Sequence, residues 1–243
     1  MWLDLHALFN RLSHDPSVRA IVLTSSGARA FTAGLDVQAA STSVLSGSTT
    51  LDVARQANAI RRHVLEFQNC ITAIESCEKP VIVAIHGICY GLGIDISLAC
   101  DIRLAATGTR FSVKEVDIGI AADIGTLTRL PRSGVSMSWV KDVCLTAREF
   151  GAEEALGVGL VSGVYGSKDE TVGKAVEKAV LLAEKSPVAV LGTKEILNYS
   201  RDHSIADGLN YTAVWNAAYT QTQDMKDAIM AGLKKKKTSF AKL

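Results

Sequence analysis

The sequence has almost no excess of charge of either sign. Its 243 residues contain 26 Lys and Arg against 25 Asp and Glu, a formal net charge of +1. The overall charge therefore does not favour nucleic acid or an anionic membrane as a partner. No apolar run reaches the ~18 residues that a membrane-spanning helix needs, and the first residues lack the charged start and apolar core of a secretory signal. We expect a soluble, non-secreted protein.

Paired cysteines are also missing. The five cysteines form no Cys-x-x-Cys pair and lie in apolar helix or strand patterns; they are Cys70, Cys77, Cys89, Cys100 and Cys144. Because disulfide frameworks use an even number of cysteines, we expect five reduced, buried thiols. No His and Cys spacing resembles a zinc site, and no metal site is expected.

Common catalytic motifs are absent or incomplete. The sequence contains neither a Gly-x-Ser-x-Gly nucleophile motif nor a Walker A sequence. Gly91-x-Gly93, with Glu115 about twenty residues later, imitates a dinucleotide-binding fingerprint. Its third glycine position holds Ile96 and the chain has no βαβ pattern at its start, which disfavours a Rossmann fold. His86, at a strand end, is expected to be packed rather than catalytic.

The chain is organised around residues 79–130. An apolar strand over 80–86 leads into a glycine-rich turn over 87–93, and a short apolar helix follows and ends near Cys100. A strand, glycines and a helix in succession leave unpaired backbone N–H groups at the positive end of the helix. Such a position stabilises a developing negative charge.

Three carboxylates follow in apolar company: Asp95, Glu115 and Asp123. Each has an ordinary explanation, since Asp95 falls in a first helical turn, Asp123 is placed to be a helix N-cap, and Glu115 adjoins Lys114. Together they are harder to explain, because a carboxylate in apolar surroundings costs on the order of several kcal/mol unless it is protonated or paired. Burial also raises a carboxyl pKa toward neutrality. Acids beside free N–H groups predict proton transfer next to an oxyanion.

Hydrophobic periodicity predicts a mixed α/β region followed by helices. Before the central stretch we expect a helix over 3–13, a strand over 18–24, a loop over 25–36, a Ser- and Thr-rich loop over 39–50 that could act as a lid, and a helix over 51–77. After it we expect strands over 101–106 and 160–165 and helices over 124–130, 134–144, 148–156, 169–185, 188–200, 204–221 and 224–236. We divide the chain into a core, 1–165, and a helical C-terminal subdomain, 166–243.

Basic clusters at 61–63 and 234–237 are expected to be solvated. The chain ends in Ala241-Lys242-Leu243, a conservative variant of the Ser-Lys-Leu address that the peroxisomal import receptor reads. This tripeptide predicts a peroxisomal location, with a mitochondrial or cytoplasmic one as the alternatives.

Several separated motifs resemble the crotonase, or enoyl-CoA hydratase/isomerase, superfamily. They are AFTAGLD at 30–36, KPVIVAIHG at 79–87, the turn that ends at Asp95, ACDIR at 99–103 and AEEALGVGLV at 152–161. The resemblance implies an α/β, crotonase-like (ClpP/crotonase) fold of repeated ββα units with a helical C-terminal trimerisation region, assembled as trimers or hexamers. Hydratases typically carry two catalytic glutamates. This sequence instead has Asp95 and Glu115 at those two positions and Asp123 as a third acid, a set that resembles that of the Δ3,5-Δ2,4-dienoyl-CoA isomerases of this superfamily.

The resemblance also implies roles for individual residues. The backbone N–H groups of Leu35 and Leu92 would form the oxyanion hole for the thioester carbonyl. Glu115 and Asp123 would be base and acid, one removing the C2 proton and the other delivering a proton at C6, with Glu115 favoured as the base. Asp95 would polarise or orient the substrate. Acyl-CoA is then the substrate, no metal or redox cofactor is needed, and further substrate contacts would come from Ala33, Gly34, Asp36 and Gly91.

The sequence departs from the family pattern in two places. Leu92 stands where the family usually has glycine, so its N–H can be presented only if the backbone avoids a positive φ. The chain also begins inside the family's first helix, so we expect the family's N-terminal strands to be missing and a sheet edge to be exposed. The alternative functions are a Δ3-Δ2 enoyl-CoA isomerase, an enoyl-CoA hydratase, or an inactive crotonase-fold protein that serves as a binding or assembly partner.

Overall fold

The computed structural model describes residues 1–34 and 51–243. Two four-stranded sheets form its centre. The first is parallel throughout and has the order β1 (Ile21–Leu23), β3 (Val81–Ile85), β5 (Ile102–Ala106) and β8 (Val164–Tyr165). The second ends in an antiparallel pair and has the order β2 (Ala30–Thr32), β4 (Ile88–Tyr90), β6 (Arg110–Ser112) and β7 (Phe150–Gly151).

Ten α-helices lie in these described ranges. The helices are α1 (Trp2–His14), α2 (Val53–Glu75), α3 (Leu92–Ala99), α4 (Thr126–Arg129), α5 (Met137–Thr146), α6 (Ala152–Gly157), α7 (Lys168–Ala183), α8 (Pro187–Ser200), α9 (Ile205–Tyr219) and α10 (Gln223–Leu233). In chain order, two successive strands precede α2 (β1 and β2) and two precede α3 (β3 and β4), one from each sheet. Two 3₁₀ turns, Glu115–Ile118 and Leu130–Arg132, flank α4. This order confirms the expected α/β fold of ββα units followed by helices.

Strand β3 shows why this sequence folds around its centre. All five of its residues are buried, as in a parallel sheet covered on both faces. Successive side chains point to opposite faces, so Val81, Val83 and Ile85 join the large core beside α2 and α3. Ile82 and Ala84 pack on the other face, where Ala175 of α7 covers them. The sheet therefore lies between the helices of the core and α7.

Most of the long elements confirm the sequence expectations, and the short strands do not. The predicted loop over 25–36 contains β2, the glycine turn over 87–93 contains β4, and β6 was not anticipated. A strand of three residues is too short to show the two-residue alternation of a β-strand. Whether such a segment forms a strand depends on its pairing with neighbouring strands. The first half of α2 also differs from expectation, because its apolar residues Val53 and Ile60 are 83% and 57% exposed.

Several smaller expectations concern individual side chains. All five cysteines are free and buried, as predicted. His86 is packed, being 3% exposed with Nε2 2.7 Å from the carbonyl oxygen of Gly27. The lysines at 234–237 are exposed. No helix among the residues described is long and apolar enough to cross a membrane.

Candidate active site

The site begins at the turn between β4 and α3. Gly91 has φ 50° and ψ −116°, a conformation that favours glycine, and α3 starts at the next residue, Leu92. Within 1–34 and 51–243 the non-glycine residues with positive φ are Ala147 and Lys235, so Leu92 avoids that region as the sequence required. As the first helical residue, Leu92 has no acceptor for its N–H inside the helix. Leu35, the second predicted oxyanion donor, and the predicted substrate contact Asp36 lie outside the described residues, as does the proposed lid at 39–50.

The ends of β2 and β4 approach each other at two glycines. Gly34 has φ 97°, and a Cβ added there would stand 3.2 Å from the carbonyl oxygen of Tyr90. A Cβ at Gly91 would stand 3.9 Å from the Cα of Gly34 and 3.1 Å from Oε1 of Glu115. Side chains at either position would push the two backbones and the Glu115 carboxylate apart.

One cavity of about 240 Å³ brings the predicted residues together. Its wall includes all those that the structure describes: Ala33, Gly34, Gly91, Leu92, Asp95, Glu115 and Asp123. The rest of the wall is mostly apolar, with Phe67 and Ile124 among its side chains, and also includes the basic residues His63 and Lys114. A larger cavity of about 660 Å³ lies between β5 and α8, but none of the three acids lines it. The smaller cavity is therefore the candidate site, because the three acids line it, although the other cavity has the greater volume.

His63 corrects one expectation for the basic cluster at 61–63. Arg61 and Arg62 are exposed on α2, as predicted for a solvated face. His63 is exposed too, yet it lines the acid-containing cavity, and its ring meets that of Trp2 at 5.7 Å between centroids. The sequence did not predict this because the helical face of His63 is polar.

Asp95 is the most buried of the three acids. It lies in the first turn of α3 and is 1% exposed. Its Oδ1 accepts two hydrogen bonds from Thr126, from the backbone N–H at 2.6 Å and from Oγ1 at 2.8 Å. Burial raises the pKa of Asp95, while Thr126 and the charge of Arg129 oppose that rise.

Glu115 opens the 3₁₀ turn Glu115–Ile118 and is partly buried. Its Oε2 is buried and has no hydrogen-bond partner among the residues that the structure describes. Burial raises the pKa of this carboxyl, and the negative charges of Asp95 and Asp123 raise it further. A half-buried carboxyl with an unsatisfied oxygen suits a group that exchanges a proton with a ligand.

Asp123 corrects the expectation that all three acids are embedded. It lines the cavity but is exposed, and the adjacent Ala122 takes the buried position instead. It is not the predicted N-cap either, because Gly125 precedes α4. Its backbone carbonyl accepts a hydrogen bond from Nε2 of Gln68 at 2.5 Å, which ties the segment to α2. The cavity thus has one buried, one half-buried and one exposed acid.

Thr126 and Arg129 are the site residues that the sequence reasoning missed. Both lie on the single turn of α4, and both act on Asp95. The only signal was the Gly125-Thr126 pair directly after Ile124, where a turn can start a helix. In the ranges described, no group of three His, Cys, Asp or Glu side chains is arranged to hold a metal ion.

Known proteins resemble this chain over its whole length. The profile of the enoyl-CoA hydratase/isomerase family matches residues 1–242. The mitochondrial Δ3,5-Δ2,4-dienoyl-CoA isomerase of Homo sapiens is 43% identical over 245 residues, covering 100% of this chain and 74% of that protein. The peroxisomal Δ3,5-Δ2,4-dienoyl-CoA isomerase of Arabidopsis thaliana is 42% identical over 242 residues. This match covers 100% of this chain and 86% of the Arabidopsis protein.

The solved structures support the fold. The crystal structure of an enoyl-CoA hydratase from Bacillus anthracis superposes with a TM-score of 0.87 at 27% identity, covering 99% of this chain and 88% of the other. A putative enoyl-CoA hydratase/isomerase from Mycobacterium abscessus gives a TM-score of 0.87 at 27% identity, covering 100% of this chain and 89% of that chain.

Proposed function

The chain belongs to the enoyl-CoA hydratase/isomerase family, and we propose on that premise that it is a Δ3,5-Δ2,4-dienoyl-CoA isomerase acting in fatty-acid β-oxidation. Dienoyl-CoA isomerases 42–43% identical to this chain over its whole length support the assignment. The observation that carries it is the single cavity with three acids of unequal burial. A proton moved along a diene needs acid or base groups at two separate carbons, and Glu115 and Asp123 supply two such groups in addition to the buried Asp95.

In the proposed mechanism the thioester oxygen accepts hydrogen bonds from the N–H groups of Leu92 and Leu35. Glu115, as the ionised base, removes a proton from C2, and the electron pair of that C–H bond moves into a dienolate. The two N–H donors stabilise the negative oxygen; losing one such donor typically costs ~3 kcal/mol of barrier. The unequal burial of Glu115 and Asp123 supports giving them different roles.

Asp123 then delivers a proton at C6. The dienolate electrons form the 2,4-diene, so the substrate and the product have the same atoms and no electrons leave the acyl chain. The mechanism therefore requires neither a metal nor a redox cofactor. Exposure of Asp123 favours it as the group that regains its proton from solvent between turnovers.

The proposal includes the setting in which the enzyme works. Acyl-CoA is the substrate, and the chain would assemble as trimers or hexamers through its helical region. The relatives carry mitochondrial and peroxisomal names. Here the exposed Ala241-Lys242-Leu243 end favours the peroxisomal import receptor as a partner. A reporter fused upstream of the whole chain should enter peroxisomes, and removal of the last three residues should leave it outside them.

The test of the reaction is incubation with 3,5-dienoyl-CoA, followed by the absorbance of the conjugated 2,4-diene. We expect the absorbance to grow with the wild type and to stay flat with Asp123→Asn. Asp117→Asn is the matched control, because Asp117 is an exposed acid of the same segment that pairs with Lys114 and does not line the cavity. Hydration of a 2-enoyl-CoA without diene formation would favour the hydratase, and no turnover of either substrate would favour a binding or assembly protein.

A further inference from the structure

Thr126 has an unusual relation to Asp95. The threonine is 0% exposed and the aspartate 1% exposed, so no bulk water competes for the contact. Both donors of Thr126, the N–H at 2.6 Å and Oγ1 at 2.8 Å, meet the same carboxylate oxygen, Oδ1. Two donors on one buried oxygen favour the ionised carboxylate, because a protonated acid gains less from them.

The rest of α4 fixes this contact in place. Gly125, with φ 158°, brings the chain into the helix, and a Cβ there would collide with the guanidinium of Arg129. Arg129 in turn donates from Nε to Oε2 of Glu75 at 3.0 Å and from Nη2 to Oγ1 of Thr72 at 2.9 Å, both on α2. Because these bonds tie Arg129 to α2, they hold the cation near Asp95 and oppose a rotation of α4 that would take Thr126 away.

We propose that Thr126 is the positioning residue that keeps Asp95 ionised within the cavity, and that this charge sets the pH range in which Glu115 acts as the base. The inference rests on the proposed function, which it deepens by assigning a task to a residue that does not touch the substrate.

The groups that face Asp95 are consistent with this role. Arg129 on α4 is the cation that stabilises the anionic form, and the acids Glu115 and Asp123 line the same cavity. Two basic residues also line it, Lys114 beside Glu115 and the exposed His63 of α2. On β4, Cys89 is fully buried, and burial raises the pKa of its thiol, so it stays neutral and adds no charge. The Asp95 anion in turn raises the pKa of Glu115. Loss of the Thr126 hydroxyl would leave the backbone N–H and Arg129 in place but would raise the pKa of Asp95, so that Asp95 takes up a proton at higher pH and its effect on Glu115 weakens.

The experiment compares Thr126→Val, which removes the hydroxyl at nearly constant volume, with Thr126→Ser, which keeps it. For Thr126→Val we expect the acidic limb of the kcat/KM profile to move to lower pH, and Asp95→Asn, which removes the charge altogether, sets the largest shift that this coupling allows. Thr126→Ser should restore the wild-type limb. Thr128→Val is the matched control, since Thr128 lies on the same turn with an exposed side chain, and it should leave the limb in place.

A second readout does not depend on turnover. In protein labelled at the Asp and Glu carboxyl carbons, NMR titration should show that Thr126→Val raises the pKa of Asp95 and lowers that of Glu115. Asp95→Asn should lower the pKa of Glu115 in the same way, and adding Thr126→Val to it should have no further effect. These titrations remain informative if the protein does not isomerise dienes, so failure of the proposed function is distinguishable from failure of this inference.

Unchanged carboxyl titrations in Thr126→Val would overturn the proposal, as would a fall in kcat with the acidic limb unmoved. If Thr126→Val does not fold, Thr126→Ala takes its place, and an unchanged Asp95 titration in that variant overturns the role of Thr126. An unchanged Glu115 pKa in Asp95→Asn would contradict the proposed coupling.

Discussion

Alanine at Gly91 is expected to damage the site through two separate effects. The first is backbone strain, because φ 50° with ψ −116° is a conformation that L residues rarely adopt. Such strain costs about 1–3 kcal/mol, which at this chain length lowers Tm by roughly 3–10 °C. The second is contact, because the new Cβ would stand 3.1 Å from Oε1 of Glu115 and force that carboxylate to shift.

The contact is what should affect catalysis. A misplacement of ~1 Å at a reacting group can cost ~100-fold in rate, and a shift of a few tenths of an ångström, together with a disturbed Leu92 N–H, should cost roughly 10- to 100-fold in kcat. Steady-state kinetics with 3,5-dienoyl-CoA gives the rate, and thermal unfolding gives the stability.

Gly108→Ala separates the two effects. Gly108 has φ 77°, and a Cβ added there would have no atom within 4 Å, so alanine meets strain without a clash. It should lower Tm through strain alone and leave kcat within about twofold of the wild type, since Gly108 does not line the cavity that contains the acids. Equal losses of kcat in the two variants, or a Gly91→Ala enzyme with nearly full activity, would refute the reasoning.

Two further predictions concern buried charge. Burial raises the pKa of Glu115 in the folded state, so ionisation of this carboxyl opposes folding. Glu115→Gln should therefore raise Tm at pH 8. The gain should vanish as the pH falls below about 4, where the carboxyl is protonated in both the folded and the unfolded state. An equal gain at both pH values would contradict this reading. Arg129→Met should lower the free energy of unfolding by about 2–4 kcal/mol in urea titrations, because Arg129 and its partner Glu75 have side chains only 11% and 15% exposed. Arg201 still pairs with Glu75, and a loss below about 0.5 kcal/mol would show that this second arginine compensates fully.

The elements that the sequence could predict are those whose signal is long. Strand β3 is a continuous apolar run, and α8 begins at Ser186-Pro187, where the serine hydroxyl caps the first turn. The strands β2, β4 and β6 have three residues each and owe their existence to neighbours far away in sequence. The local sequence pattern therefore does not predict this pairing. The division at 165/166 stays a prediction.

The sequence predicted which acids line the candidate site, but not how deeply each of them is buried. Apolar neighbours and the family motifs placed Asp95, Glu115 and Asp123 in one cavity, as the structure has them. Their unequal burial was not predictable, since Ala122 and Asp123 compete for one buried position and only packing decides which takes it. Thr126 was missed because its bond to Asp95 joins residues 31 positions apart.

The most direct test of the account is turnover of 3,5-dienoyl-CoA in D₂O, with the position of the incorporated deuterium read by NMR. The proposed mechanism predicts a 2,4-dienoyl-CoA product with deuterium at C6, and no such product from Glu115→Gln or Asp123→Asn. A hydrated product, an unchanged substrate, or deuterium at C6 in the Asp123→Asn reaction at the wild-type rate would contradict the assignment of these acids to the two ends of the diene.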